Sequence, residues 1–216
     1  MNKILTSFDA VIFDMDGVLV DSEPYYMEVE QTTFKELGLM ISEEEHLTYQ
    51  GTAYDRMWQM IKEKHEIAKT VDELVEFSIN HISSSFSALE KIEPMPGVED
   101  LIKRLKQRNV PIALASSSYL EVIRIILRRT GLEKYFEVVV DNTKAQSSKP
   151  DPDIFLLAAK KLGIAPGKCA VIEDSTNGII AAKAAGMYCI AFAGPSTGSQ
   201  DHSQADLVIS DFDTLF

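Results

Sequence analysis

The sequence is short of cysteine, of basic residues and of long apolar runs, and each shortage excludes something. Only two cysteines, Cys169 and Cys189, occur in 216 residues. They match no zinc spacing and no disulfide framework, so a reducing cytoplasm is the expected location. No apolar stretch approaches the ~18 residues that a membrane span requires. The opening residues, MNKILTSFDAVIFDMDG, lack a signal-peptide cleavage region, so neither membrane nor secretion is expected. Lys and Arg total 21 against 33 Asp and Glu, a formal charge of -12. Such an excess repels phosphate backbones and disfavours nucleic acid as a partner. Any anionic substrate would then need local positive charge, from a metal or from a few placed cations. What is present is ordinary for a soluble protein: 45% hydrophobic and 25% charged residues. The length suits one large domain, or a core of ~150 residues carrying an insert.

Short apolar runs predict strands at residues 8–13, 110–115, 136–140, 169–172, 188–192 and 207–209. Most are continuously apolar, as strands covered on both faces are. Helical spacing lies between them: Val98, Leu101, Ile102 and Leu105; then Leu120, Ile123, Ile126 and Leu127, with Ser118 as an N-cap and Gly131 as the stop. Residues 153–162 end at Gly163, and residues 175–185 end at Gly186. This alternation predicts an α/β fold, a doubly wound, Rossmann-like parallel sheet whose ligand edge is formed by the loops after the strands. After Val20 the rhythm breaks. Residues 25–37, 54–64 and 71–89 read as helix only, interrupted at Gly38, Gly51 and the polar stretch 63–69. The cluster at 94–97, Pro-Met-Pro-Gly, reads as a return linker, with Glu23-Pro24 as the outward hinge. The expected organisation is a core of residues 1–20 and 94–216, with a small all-helical domain, 21–93, inserted after the first strand.

Four signals fall at the predicted ligand edge. Asp14 and Asp16 follow the first strand, two residues apart and so on one side of an extended segment, with Gly17 next. The pair suits a nucleophile beside a proton carrier, their repulsion reduced by a metal. A bare Asp-x-Asp also ends ordinary turns; Asp211-Phe212-Asp213 after the last strand reads as one. After the second strand come Ser116, Ser117 and Ser118, where a hydroxyl and backbone N–H groups meet a helix start. This is an anion site, with Ser117 or Ser118 serving as a cap. Lys149 sits in Ser148-Lys149-Pro150-Asp151-Pro152, stiffened by prolines and presented as a fixed charge. Glu173 and Asp174 end the fourth core strand, where they would complete a hard-cation site or cap the next helix. Together the four signals predict a phosphate site containing Mg²⁺.

Asp14-Met15-Asp16-Gly17-Val18-Leu19-Val20-Asp21-Ser22, Ser116, Lys149-Pro150 and Glu173-Asp174-Ser175 resemble the four ordered motifs of the haloacid dehalogenase-like superfamily. The resemblance continues through Gly178, Ala181 and Ala185-Gly186, and the closest subgroup is the β-phosphoglucomutase-like phosphatases, whose mobile helical cap the inserted module resembles. It implies two-step phosphoryl transfer. Asp14 forms an aspartyl phosphate, and Asp16 protonates the leaving oxygen and then takes a proton from water. Mg²⁺ is held by Asp14, the backbone carbonyl of Asp16, Asp174 and Glu173, while Lys149 and Ser116 bind the transferring oxygens. Dehalogenation is not expected, because dehalogenases of the family have no acid at the position of Asp16.

Phosphatase and mutase share these motifs, so the cap decides between them. The cap histidine of the β-phosphoglucomutases corresponds to Tyr26, and their cap arginine to Tyr54, with Arg56 offset nearby. Residues 77–89 contain no Lys or Arg. These departures favour hydrolysis of a monophosphate, most simply a small sugar phosphate, with β-phosphoglucomutase as the alternative. A non-catalytic metal-binding regulator on the same scaffold is a third reading. Tyr25, Tyr26, Met57, Trp58 and Met60 are expected first of all to pack, and Tyr26, Tyr54 and Arg56 are the best candidates for specificity residues. His46, His65 and His202 are expected to be solvated. The protein is expected to be a monomer or weak homodimer.

Overall fold

A computed structural model describes residues 4–49, 54–141, 143–145, 147–198 and 200–215. It divides into two compact units, Met1–Glu23 with Lys91–Phe216, and Pro24–Glu90.

The first unit is built on six strands: β1 (Ala10–Phe13), β2 (Ile112–Ala115), β3 (Val138–Val140), β4 (Cys169–Glu173), β5 (Tyr188–Phe192) and β6 (Leu207–Ile209). All pair in parallel in the order β3-β2-β1-β4-β5-β6. Residues of β1, β2 and β4 are buried throughout, as the apolar runs 10–13, 112–115 and 169–172 require. Alternation then sorts side chains between two faces. Ala10 and Ile12 join Ala113, Ala115 and Val171 against Phe155, Ala158 and Ile179, which lie on α7 (Asp153–Leu162) and α8 (Thr176–Ala184). The stripes of α5 (Val98–Gln107) and α6 (Leu120–Arg129) are likewise buried. A fully buried side chain such as Phe13 or Phe155 contributes roughly 1.5–3 kcal/mol by leaving water.

The strand order has a consequence for binding. The chain steps outward from β1 to β2 and β3, then crosses to β4 and continues outward through β5 and β6. The direction reverses between β1 and β4, so the loops after these two strands flank the switch point at which such sheets bind ligands. Asp14 follows β1, and Glu173-Asp174 closes β4. The two chain segments leaving this unit are tied together, Met95 N–H donating to the Leu19 carbonyl at 2.8 Å.

The second unit contains α1 (Glu23–Glu36), α2 (Glu43–Leu47), α3 (Tyr54–His65) and α4 (Val71–Ala88). Its core joins Phe34, Tyr49, Met57, Trp58, Ile61 and Leu74, and Trp58 Nε1 donates to Ser78 Oγ at 2.8 Å. A capping box, Thr70 with Glu73, starts α4. Among the described residues no helix is long and apolar enough to cross a membrane.

Several expectations need correction. α2 was not foreseen, because Glu43-Glu44-Glu45-His46-Leu47 is too short and acidic to show a periodic stripe. β2 begins at Ile112, after Pro111, which has no N–H to pair. Ser118 does not cap α6: Tyr119 takes that position, without a side-chain cap bond. Met60 is exposed rather than packed. Gly51 lies outside the described residues.

Candidate active site

Most side chains singled out at the ligand edge converge. Asp14 N–H donates to the Ile172 carbonyl at 2.9 Å, which fixes the end of β1 against β4. Lys149 Nζ reaches Asp14 Oδ1 at 2.5 Å and Glu173 Oε1 at 2.7 Å, with all three side chains buried. Glu173 Oε2 accepts from the Ser175 N–H at 2.6 Å and from Ser175 Oγ at 3.0 Å. Ser175 in turn caps α8 by accepting from the Gly178 N–H. Glu173 thus joins the lysine to the loop that starts α8.

Asp16 faces a different set. Ser22 Oγ donates to Oδ1 at 2.6 Å and Ser118 Oγ to Oδ2 at 2.8 Å, while Ser116 Oγ lies 3.4 Å from Oδ2. Ser116 is fully buried, and its Oγ accepts the Ser118 N–H at 3.0 Å. Ser117 is exposed.

Two glycines make room for the acids. Gly17 has φ +74°, and a Cβ there would lie 2.0 Å from Asp174 Oδ2; one at Gly178 would lie 1.6 Å from Glu173 Oε1. The first position also requires the left-handed backbone that glycine adopts freely.

The electrostatics follow from crowding. Burial pushes the Asp14 carboxyl up to about 8, Lys149 partly opposing this and Glu173 and Asp16 adding to it. Burial, Glu173 and Asp14 hold Asp174 well above the usual carboxylate range. Asp16 is raised by burial and lowered by its hydroxyl donors, Ser22 before Ser118. For Lys149 burial favours the neutral amine, but the charges of Asp14 and Glu173 outweigh it and raise the pKa. Asp14, Glu173 and Asp174 each present an oxygen within 4.8 Å of the others. Buried Asp14 and Glu173, both paired with Lys149, and half-buried Asp174 crowd three carboxyl groups together, and their donor atoms are all oxygen. The set fits a hard divalent cation.

His202, expected to be solvated, bears on this site. Its Nε2 lies 2.7 Å from the Asp174 carbonyl, which can only accept, so Nε2 carries the proton. Beside it the Thr176 N–H donates to Gln200 Oε1 at 2.8 Å, and the Asp201 N–H donates to Thr176 Oγ1 at 2.7 Å. The loop after β5 is thereby fastened to the loop carrying Asp174. Sequence reasoning missed this because a lone histidine in a polar stretch gives no spacing signal.

The candidate specificity residues belong to the helical unit. The Tyr26 ring packs on Phe86, with centroids 5.3 Å apart. The Tyr54 hydroxyl donates to Glu30 Oε1, and Arg56 is exposed. The other two histidines expected in solvent are also paired there. Buried His46 meets Glu30 Oε2 at 2.5 Å, and His65 meets Glu45 Oε1 at 2.8 Å.

Comparison with known proteins identifies the family of the chain. A haloacid dehalogenase-like hydrolase family model matches residues 8–186. A phosphorylated carbohydrates phosphatase of Thermotoga maritima is 35% identical over 179 residues, 83% of this chain and 82% of that protein. A beta-phosphoglucomutase of Bacillus subtilis is 34% identical over 206 residues, 93% of this chain and 88% of that protein. The crystal structure of CbbY from Rhodobacter sphaeroides in complex with phosphate superposes with a TM-score of 0.86 at 26% identity, covering 96% of each chain. The chain belongs to the haloacid dehalogenase-like hydrolases, in their β-phosphoglucomutase-like phosphatase subgroup.

Proposed function

We propose that the protein is a Mg²⁺-dependent phosphomonoesterase of a small phosphorylated metabolite, a sugar phosphate above all, acting through an aspartyl phosphate on Asp14. The observation that carries the reading is the division of labour between two acids two residues apart. Asp14 is paired with Lys149, whereas Asp16 is held by neutral hydroxyls. A carboxylate beside a fixed cation suits attack on an anionic phosphoryl group. One among hydroxyls, with its pKa raised by burial, suits the exchange of a proton.

In the first step an Asp14 oxygen attacks phosphorus, the ester P–O bond breaks, and the Asp16 proton passes to the leaving oxygen. In the second, water attacks the phosphorus of the aspartyl phosphate and gives a proton to Asp16, while the bond from phosphorus to the Asp14 oxygen breaks and frees the carboxylate. Inorganic phosphate leaves, and both acids return to their starting states. Lys149 and Ser116 bind the transferring oxygens. Asp14, Asp174, Glu173 and the carbonyl of Asp16 would hold Mg²⁺, which when bound offsets the charge of the acids and of the phosphoryl group. Choice of ester we assign to Tyr26, Tyr54 and Arg56 of the helical unit, acting as a cap.

The carbohydrate phosphatase relative supports the substrate class. The test is phosphate release from a panel of sugar phosphates, phosphoglycolate and nucleotides, with and without Mg²⁺. Turnover that requires Mg²⁺ and vanishes in Asp14→Asn is expected; no turnover on any ester would refute the reading. The mutase relative keeps β-phosphoglucomutase as the second reading. Glucose 6-phosphate formed from β-glucose 1-phosphate with catalytic bisphosphate, in place of phosphate release, would favour it. Against it stands α4, which carries no Lys or Arg to grip a second phosphate.

A further inference from the structure

Asp16 is held on both of its oxygens by hydroxyls from distant parts of the chain. Ser22 holds Oδ1 at 2.6 Å, and Ser118, 102 residues away from Asp16, holds Oδ2 at 2.8 Å. Ser116 approaches Oδ2 only to 3.4 Å, beyond the usual O–H···O range, so Ser118 is the stronger hold on that oxygen. A carboxyl with a donor on each oxygen cannot turn about its Cβ–Cγ bond without losing one of them. Helix capping does not account for Ser118, because α6 begins after Tyr119. The Ser118 N–H on Ser116 Oγ, at 3.0 Å, fixes the hydroxyl-bearing turn itself.

We propose that Ser118 is a positioning residue for proton transfer: its hydroxyl aims the Asp16 carboxyl at the leaving oxygen of the ester. The inference rests on the reading of Asp16 as the acid and base. Ser118 exchanges no atom with substrate. As the ester P–O bond breaks, the Asp16 proton moves to the leaving oxygen, and the new carboxylate keeps the Ser118 hydrogen bond. When water attacks the aspartyl phosphate, the same carboxylate, still aimed, takes the proton that the water loses. The second step is the same for every ester, so only the contribution of Ser118 to the first depends on the leaving group. It is large where the departing oxygen must be protonated, and small where it leaves as a stable anion.

The experiment measures kcat/KM, which reports the steps up to departure of the leaving group, on two esters. One is the best alkyl phosphate found in the substrate panel, which leaves an alkoxide. The other is p-nitrophenyl phosphate, whose phenolate leaves without a proton. Ser118→Ala is expected to lower kcat/KM on the alkyl ester roughly tenfold and on the aryl ester less than about twofold. Ser118→Thr, which keeps the hydroxyl, is expected to recover most of the alkyl-ester rate. Asp16→Asn, run in parallel, should show the same split with a larger loss. Equal losses on both esters in Ser118→Ala, beside a split in Asp16→Asn, would overturn the positioning role alone. Equal losses in Asp16→Asn would overturn the acid–base reading of Asp16 and the inference with it. If Ser118→Ala fails to fold, Ser118→Cys, similar in volume and a weak donor, replaces it with the same expected split.

Discussion

Gly178 lies in the first turn of α8, where local and tertiary forces disagree about alanine. Alanine is the better helix former by about 1 kcal/mol, so on local grounds Gly178→Ala should stabilise the protein. A Cβ at this position, however, would stand 1.6 Å from Glu173 Oε1 and 1.9 Å from its Cδ. The tip of a glutamate can usually swing aside. Here it is fully buried and bound to Lys149, the Ser175 N–H and Ser175 Oγ at 2.7, 2.6 and 3.0 Å. Displacing it breaks a buried ion pair, at a cost of about 3–5 kcal/mol. The tertiary effect exceeds the local one, and the expected net is a loss of roughly 2–4 kcal/mol. Urea unfolding near neutral pH measures it. In a Glu173→Ala background the added methyl meets no carboxylate, and the same substitution should be neutral or stabilising. A Gly178→Ala protein as stable as the parent, or an equal cost in both backgrounds, would refute the reasoning.

Two further predictions concern the acids and the metal. Between 3.8 and about 8, the ordinary and folded values for Asp14, the folded chain binds more protons than the unfolded one, so metal-free stability should fall as pH rises through that window. A divalent cation favours deprotonated carboxylates, so Mg²⁺ should raise the urea midpoint more at pH 8 than at pH 5; equal gains at both would contradict this. His202→Ala removes the bond to the Asp174 carbonyl and should weaken Mg²⁺ affinity severalfold by calorimetry, with kcat recovering at high Mg²⁺; unchanged affinity would show that this bond does not position Asp174.

The sheet was legible because a strand covered on both faces has no choice but an unbroken apolar run, as in residues 10–13 and 169–172. The core of the site was legible for a related reason. Asp14, Glu173 and Asp174 are charges that fall beside strand ends, and Lys149 lies in the loop between β3 and α7, where the alternation of strand and helix already places a ligand edge. What could not be read were contacts that depend on the third dimension alone. Ser118 resembles an N-cap locally, and its bond to Asp16 spans 102 residues. Gly178 looks like a poor helix residue until the carboxylate above it is seen. His46 carries no periodic signal, yet it is buried against Glu30 because α2 folds onto α1. In each case the sequence shows the residue type, and only the packing shows its partner.

The proposed phosphoryl transfer depends most on Asp14 as the nucleophile. Acid quenching of the protein during turnover, followed by borohydride reduction, converts an acyl phosphate to an alcohol that peptide mass spectrometry can locate. The reduced side chain should appear at Asp14 and nowhere else, and should require both substrate and Mg²⁺. Reduction at another carboxylate, or an Asp14→Asn protein that still releases phosphate, would contradict the mechanism.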